Sequence, residues 1–222
     1  MRTFKTLLPV IALTAGLALS ASANAATLVS IGLSTDNGAT ITPVGVAGAT
    51  SSNVSTLSFN GWEVTADAHV GFFPDLLNSN TFDAKAADAG TLDVFVTVQN
   101  LTALAPGFLT GFTENLLSAG WSVTETSYLS AANALWTGAQ LSTMDFSAVG
   151  SGTGFNGLTA GPNAYSVTER FHIVANGQGN AQSTLDITAV PEPATWGLMI
   201  VGFGGIGSMV RSNRRRQATA TA

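Results

Sequence analysis

The sequence predicts an all-β protein, an antiparallel β-sandwich of jelly-roll-like form, set between a cleaved N-terminal signal peptide and a single C-terminal transmembrane helix. Three observations lead there. Across the middle of the 222-residue chain, apolar residues alternate with Ser, Thr and other small polar residues, the period of two that buries one face of a strand. Charged residues are scarce in that region and polar, Gly-containing turns recur without the fixed repeat of a solenoid. Each end of the chain departs from the pattern with a run of continuous apolarity.

The first run follows Arg2 and Lys5 and spans residues 7–19, with Pro9 and Gly16 inside it and Ala23-Asn24-Ala25 after it. A charged start, a short apolar stretch and small residues make residues 1–25 a secretory signal peptide, with Ala23 and Ala25 forming the cleavage site. As a membrane anchor the run is too short for a bilayer core of roughly 30 Å.

Residues 26–189 form the expected β-rich ectodomain. Strand patterns occur at 27–31, 56–59, 62–66 and 91–98, the last with Leu92, Val94, Val96 and Val98 on one face. Short helical signals cover 84–89 and 113–119, each ahead of a glycine. Glycines at 150, 152, 154, 157 and 161 with Pro162 read as a long loop. Two alternating runs, 165–174 and 183–190, flank Asn176-Gly177 and predict a β-hairpin. In its first strand Tyr165, Val167, Glu169, Phe171 and Ile173 share a face, so Glu169 marks an edge or a buried pair, and His172 points the other way.

Between residues 26 and 190, twelve Asp or Glu stand against Lys85 and Arg170, a net charge of about −10 that repels nucleic-acid phosphates. There is no cysteine. A region of about 165 residues needs no disulfides, since it buries roughly 70% of its unfolded surface in one core. One domain is expected, with no nucleic-acid partner.

Catalytic and cofactor signals are weak. Gly152, Gly154 and Gly157, and again Gly202, Gly204 and Gly207, match G-x-G-x-x-G but lack the strand-turn-helix context of a phosphate cradle. His69 and His172 stand alone, without a nucleophile motif or metal-ligand spacing. Asp36-Asn37-Gly38 reads as a turn, lacking the remaining ligands of a calcium loop. Carboxylates remain open as a glycosidase pair. Trp62, Trp121 and Trp136 are open as sugar-stacking residues, against a core role for each. Thr97 and Thr102, or Thr124 and Thr126, are too isolated for a regular ice-binding array. The expectation is a protein without enzymatic activity, metal or cofactor.

The C-terminal segment carries the most specific signal. Val190-Pro191-Glu192-Pro193-Ala194-Thr195-Trp196 opens an apolar, glycine-rich stretch, residues 194–210, that would extend roughly 25 Å as a helix, a marginal span. Arg211, Arg214, Arg215 and Arg216 then form a basic stop, which the positive-inside rule places on the cytoplasmic side. This tripartite segment, residues 190–216, resembles the PEP-CTERM sorting signals, in the variant with Trp three residues beyond the second proline. Gly197 stands where that pattern more often has Ala, and residues 217–222 form a disordered tail. The resemblance implies recognition of Pro191, Glu192, Pro193, Trp196, Arg214, Arg215 and Arg216 by an exosortase. It further implies transient membrane tethering and a place on the surface or in the matrix of a Gram-negative bacterium that makes exopolysaccharide. Residues 120–129 and 165–169 are also similar to small secreted proteins with this tail, which implies a β-rich envelope domain of unassigned activity. A structural or adhesive role follows as the expectation, with exopolysaccharide a candidate partner; a carbohydrate-binding or carbohydrate-active sandwich is the main alternative and ice binding a lesser one.

Overall fold

A computed structural model describes residues 26–48, 50–161, 163–190 and 197–206. Twelve strands lie among them: β1 (Leu28–Ser34), β2 (Thr42–Gly48), β3 (Ser51–Phe59), β4 (Trp62–His69), β5 (Asp75–Ala86), β6 (Gly90–Leu101), β7 (Phe108–Leu117), β8 (Ser122–Ser130), β9 (Ala139–Phe146), β10 (Gly150–Asn156), β11 (Tyr165–Ala175) and β12 (Gly179–Ala189). They form two six-stranded antiparallel sheets, β2-β1-β6-β11-β8-β9 (sheet A) and β10-β7-β12-β5-β4-β3 (sheet B). The order places β5 against β6, β11 against β12 and β7 against β8, so the sheets face each other across one core.

Alternation explains that core. Leu92, Val94, Val96 and Val98 of β6, Val167, Phe171 and Ile173 of β11, and Leu185 and Ile187 of β12 are all buried inward. Phe82 stacks on Phe171 across the sheets, with ring centroids 5.3 Å apart. Each such side chain contributes about 1.5–3 kcal/mol relative to exposure. Aromatic pairs close both ends: Trp62 and Trp121 meet edge to face at 5.6 Å, and Phe108 and Tyr165 at 6.4 Å, with the Tyr165 hydroxyl donating to the Ala103 carbonyl at 2.9 Å. The two tryptophans therefore take the core role.

Four local expectations need correction. Strands β11 and β12 are consecutive but not hydrogen-bonded to each other: β11 pairs with β6 and β8, β12 with β5 and β7, so Asn176-Gly177 turns an arch between sheets and not a hairpin. Residues 113–117 and 84–86 lie in β7 and β5, where ladder bonds on both flanks override weak helical propensity. The glycine-rich stretch from 150 is strand β10. Its glycines permit close approach: a Cβ at Gly152 would collide with Met144, and one at Gly154 with Ser142, both on β9. They let the edge strands of the two sheets come together along one side.

Residues 197–206 are helical, about 15 Å of helix at 1.5 Å per residue. No described helix is long and apolar enough to cross a membrane. The expected span 194–210 runs past the described residues at both ends. Residues 1–25 with Ala23 and Ala25, the sorting residues Pro191, Glu192, Pro193, Trp196, Arg214, Arg215 and Arg216, and the tail 217–222 also lie outside the described residues.

Candidate functional site

Period-two alternation sends a second set of side chains to the outer face of sheet A, and two loops cover them. Asp93 and Phe95 of β6, Arg170 and His172 of β11, and Tyr128 of β8 all point outward. The connection 35–41 folds over one side of this group. Its Asp36 carboxylate accepts from the Ser34 hydroxyl at 2.6 Å and the Thr40 amide at 2.9 Å, which lowers its pKa to about 2. That is the turn foreseen for Asp36-Asn37-Gly38, and it presents Asn37, in a left-handed conformation with φ 59°, to Arg170.

The connection 131–138 covers the other side. Asn133 and Asn100 clasp it to the sheet: the Asn100 amide donates to Asn133 Oδ1 at 2.8 Å, and Asn133 Nδ2 to Asn100 Oδ1 at 2.7 Å. Gln99 Nε2 donates to the Asn133 carbonyl and the Ser166 hydroxyl to the Ala134 carbonyl. Trp136, held at φ 60°, donates its backbone N–H to Thr97 Oγ1, and Thr97 is itself bonded to Thr168 at 2.8 Å. This scaffold overdetermines a backbone conformation that costs a bulky residue on the order of 1–3 kcal/mol.

Arg170 is the centre of the group. Its Nε and Nη2 both reach Asp93 Oδ1, at 2.8 and 2.7 Å, and Nη2 also donates to Asn37 Oδ1 at 2.6 Å. The guanidinium lies over the Phe95 ring, 5.5 Å from its centroid, and Phe95 meets Trp136 edge to face. Burial alone would lower the pKa of Arg170, but the bonds and charge of Asp93, with Tyr128 beside it, outweigh burial and hold it raised. His172 Nδ1 lies 2.8 Å from the same Asp93 oxygen. The result is a cavity of about 230 Å³ lined by Asn37, Ile41, Phe95, Tyr128, Trp136 and Arg170 among others. It has an aromatic and aliphatic wall, several hydrogen-bond donors, and a cation whose charge Asp93 already balances.

A separate polar layer lies inside the sandwich. Glu114 of β7 and Glu125 of β8 both point inward and are almost completely buried, as is Glu169 of β11, whose register partner on β8 is Ser127. The Ser183 hydroxyl donates to Glu114 Oε2 at 2.6 Å, and Thr110 and Ser127 bond across the sheets at 2.8 Å. Burial raises the Glu114 pKa to about 7, against the opposing pull of the Ser183 bond. Burial and then the neighbouring Glu114 charge raise Glu125 to about 8; the Thr113 amide and Ser183 hydroxyl oppose this weakly, for neither Glu125 oxygen completes a well-formed hydrogen bond. Of the three, alternation in the sequence marks Glu169 alone. Glu114 falls in a segment with helical signals, and the inward parity of Glu125 beside Val123 and Ser127 is the available signal.

Among the described residues, no group of three or more His, Cys, Asp or Glu is placed to hold a metal ion. His172 joins the Arg170 group; His69 lies at the end of β4. Of the three tryptophans considered for sugar stacking, Trp136 alone lines the outer-face cavity.

Comparison with known proteins places the C-terminal segment. Residues 189–216 match the PEP-CTERM protein-sorting motif, which implies export and sorting by an exosortase. No curated protein matches the chain. Among solved structures, it is similar to TmCBM61 in complex with β-1,4-galactotriose, with a TM-score of 0.34 and 9% identity, over 60% of this chain and 90% of that one. It is also similar to the enzymatically active domain of tailspike protein 4 of bacteriophage CBA120, with a TM-score of 0.30 and 14% identity, over 59% of this chain but only 20% of the tailspike chain.

Proposed function

We propose that the protein is a non-enzymatic adhesive or matrix component of the Gram-negative cell surface, tethered transiently by its C-terminal segment, that holds exopolysaccharide through the outer face of sheet A. The observation that carries this reading is the cavity beside Trp136. Its indole and Ile41 offer an apolar wall to the C–H face of a sugar ring, while Arg170, Asn37 and Tyr128 offer hydrogen bonds to hydroxyls around the ring's edge. Because Asp93 balances Arg170, the site suits a neutral hexose unit better than a uronate. At about 230 Å³ it falls below the roughly 300–1,000 Å³ of drug-sized ligand sites, and so takes one residue of a longer chain.

The carbohydrate-active alternative would draw on paired carboxylates. Glu114 and Glu125 have the raised pKa values of general acids, but both are sealed in the core, out of reach of a substrate.

Titrating the purified protein with neutral and acidic bacterial polysaccharides tests the proposal. Wild type should bind neutral glycans without turning them over, and Trp136→Ala should weaken binding roughly tenfold, about 1.4 kcal/mol. Hydrolysis of any glycan, or equal binding by Trp136→Ala, would overturn it.

A further inference from the structure

The two ends of the sandwich differ in chemistry. Register puts Ala189, Phe108, Asn156 and Asp75 at one end of sheet B, and Gly179, Ala86 and Trp62 at the other. Val190 leaves from the first end, pinned by its N–H bond to the Gly107 carbonyl at 2.9 Å, with the Ala189 N–H on the Pro74 carbonyl at 2.8 Å. Around this exit the domain exposes large apolar side chains. Phe72 is 96% and Phe73 52% exposed in the connection ending at Pro74, and Phe155, 65% exposed, lies against Gly107. Leu109 is the register partner of Phe155. Leu104 and Leu158 sit in neighbouring connections joined by the Ala160 to Ala105 bond of 2.8 Å.

Charge is distributed the opposite way. The connections at the Val190 end contain no Lys, Arg or Glu and a single Asp, at the start of β5, whereas the far end bears Asp36, Asp88 and the Glu63–Lys85 pair. Exposed apolar residues elsewhere, such as Val149 and Leu116, lie away from this group. Single exposed apolar residues need no explanation; a cluster of phenylalanines and leucines on an end whose one charged group is Asp75 does.

Chain length decides what covers it. Only three residues separate Val190 from Ala194, where the apolar segment of the sorting signal begins, so the two Cα atoms are at most about 14 Å apart. The polar headgroup layer is itself about 5–8 Å thick on each side of the bilayer core. A tether that short brings the Val190 end to the membrane surface. Ala26, where the signal peptide would be cut, is held at the same end, its carbonyl accepting from Asn100 Nδ2 at 2.9 Å.

We infer that the Val190 end is a lipid-contacting surface, on which Phe72, Phe73, Leu104, Leu109, Phe155 and Leu158 enter the bilayer interface and hold the domain upright on the membrane until the tail is processed. Aromatic and aliphatic side chains suit that interface, and with Asp75 the one carboxylate at this end the desolvation cost of reaching it is small. The inference rests on the sorting segment's residence in the membrane.

The chain has no cysteine, so single labels can be placed at will. Full-length Phe72→Cys, Phe155→Cys and Asp88→Cys proteins would each carry an environment-sensitive fluorophore and be reconstituted into phosphatidylcholine vesicles containing nitroxide lipid. Emission from positions 72 and 155 should be quenched and shifted to the blue. Position 88, beyond the far end of β5 and roughly 35 Å away at about 3.3 Å per residue, should be unaffected. If the chain floats with the vesicles but positions 72 and 155 behave like position 88, the lipid surface is disproved while the sorting reading stands. If shielding at 72 and 155 requires a co-reconstituted exosortase, the surface belongs to the enzyme and the lipid reading fails. A chain that does not float removes the membrane tether and this inference with it.

Discussion

The carboxylates inside the sandwich make stability fall with rising pH. In the folded protein Glu114 keeps its proton to about pH 7 and Glu125 to about pH 8, whereas both would lose it near 4.5 in the unfolded chain. Between those limits the folded state binds more protons than the unfolded state, so stability declines as pH rises through the window and levels off above about 8. Each tenfold step in proton affinity is worth about 1.4 kcal/mol. Carrying Glu114 from 4.5 to about 7 then corresponds to ~3 kcal/mol, and Glu125 from 4.5 to about 8 to ~5 kcal/mol. Against a typical total of about 5–15 kcal/mol, ionising this layer removes about half of the stability or more.

Urea titrations at intervals from about pH 5 to about pH 9 measure the effect. Asp186, its pKa raised by burial and by Asp75, contributes with the same sign. Asp36, lowered to about 2, contributes with the opposite sign and loses its contribution only below about pH 4, outside the window. Glu125→Gln isolates the core layer. It removes one ionisation and lifts the charge that Glu114 would face, so the variant should match wild type near pH 5 and exceed it by ~3–5 kcal/mol near pH 9. A wild type equally stable at both limits, or a Gln variant with an unchanged slope, would refute the reasoning.

Two further outcomes are expected. Gly154→Ala should lower stability by ~1–3 kcal/mol, because the new methyl meets Ser142 where the edge strands of the two sheets close; an unchanged denaturation midpoint would place that closure elsewhere. The surface-exposed form should begin at Ala26 and lack the C-terminal segment; intact mass spectrometry decides this, and a form that retains residues 7–19, or that ends at Ala222 in a strain with an active exosortase, would contradict it.

Strand content was legible wherever alternation was local. The inward and outward sets of β6 and β11 stand in the sequence as they do in the fold, because a period of two needs no knowledge of the partner strand. Partner choice was not legible. Asn176-Gly177 announces a reversal, but the same turn serves a hairpin or an arch, and only the competing ladders of β5, β6, β7 and β8 select the arch. The glycines of β10 misled for a related reason: what reads locally as loop propensity is, in three dimensions, room for β9.

The Arg170 site was half visible. Arg170 is one of two cations in the domain and sits at an outward position of β11, and Asp93 at an outward position of β6. Their meeting depends on the β6–β11 register, which pairs Phe95 with Arg170 and Asp93 with His172, and no local pattern supplies it. Trp136 gave still less, since its place over Phe95 depends on a left-handed backbone held by Asn100 and Thr97, both of β6.

Buried acids and the outer-face site are linked by that same alternation. Along β11, Val167, Glu169 and Phe171 point inward while Thr168, Arg170 and His172 point outward; along β8, Glu125 and Ser127 point inward while Thr126 and Tyr128 point outward. A slip of one residue in β11 would drive Arg170 into the apolar core and carry Phe171 out of its stack with Phe82. It would also part Arg170 from Asp93 and leave a buried carboxylate without its cation, a cost on the order of 3–5 kcal/mol. The opposite alternations of charge and apolarity therefore penalise the same error from both faces. A sandwich without disulfides, built largely from interchangeable Ser, Thr, Val and Ala, resists a one-residue slip because a few charged residues are placed where the slipped register would bury or unpair them.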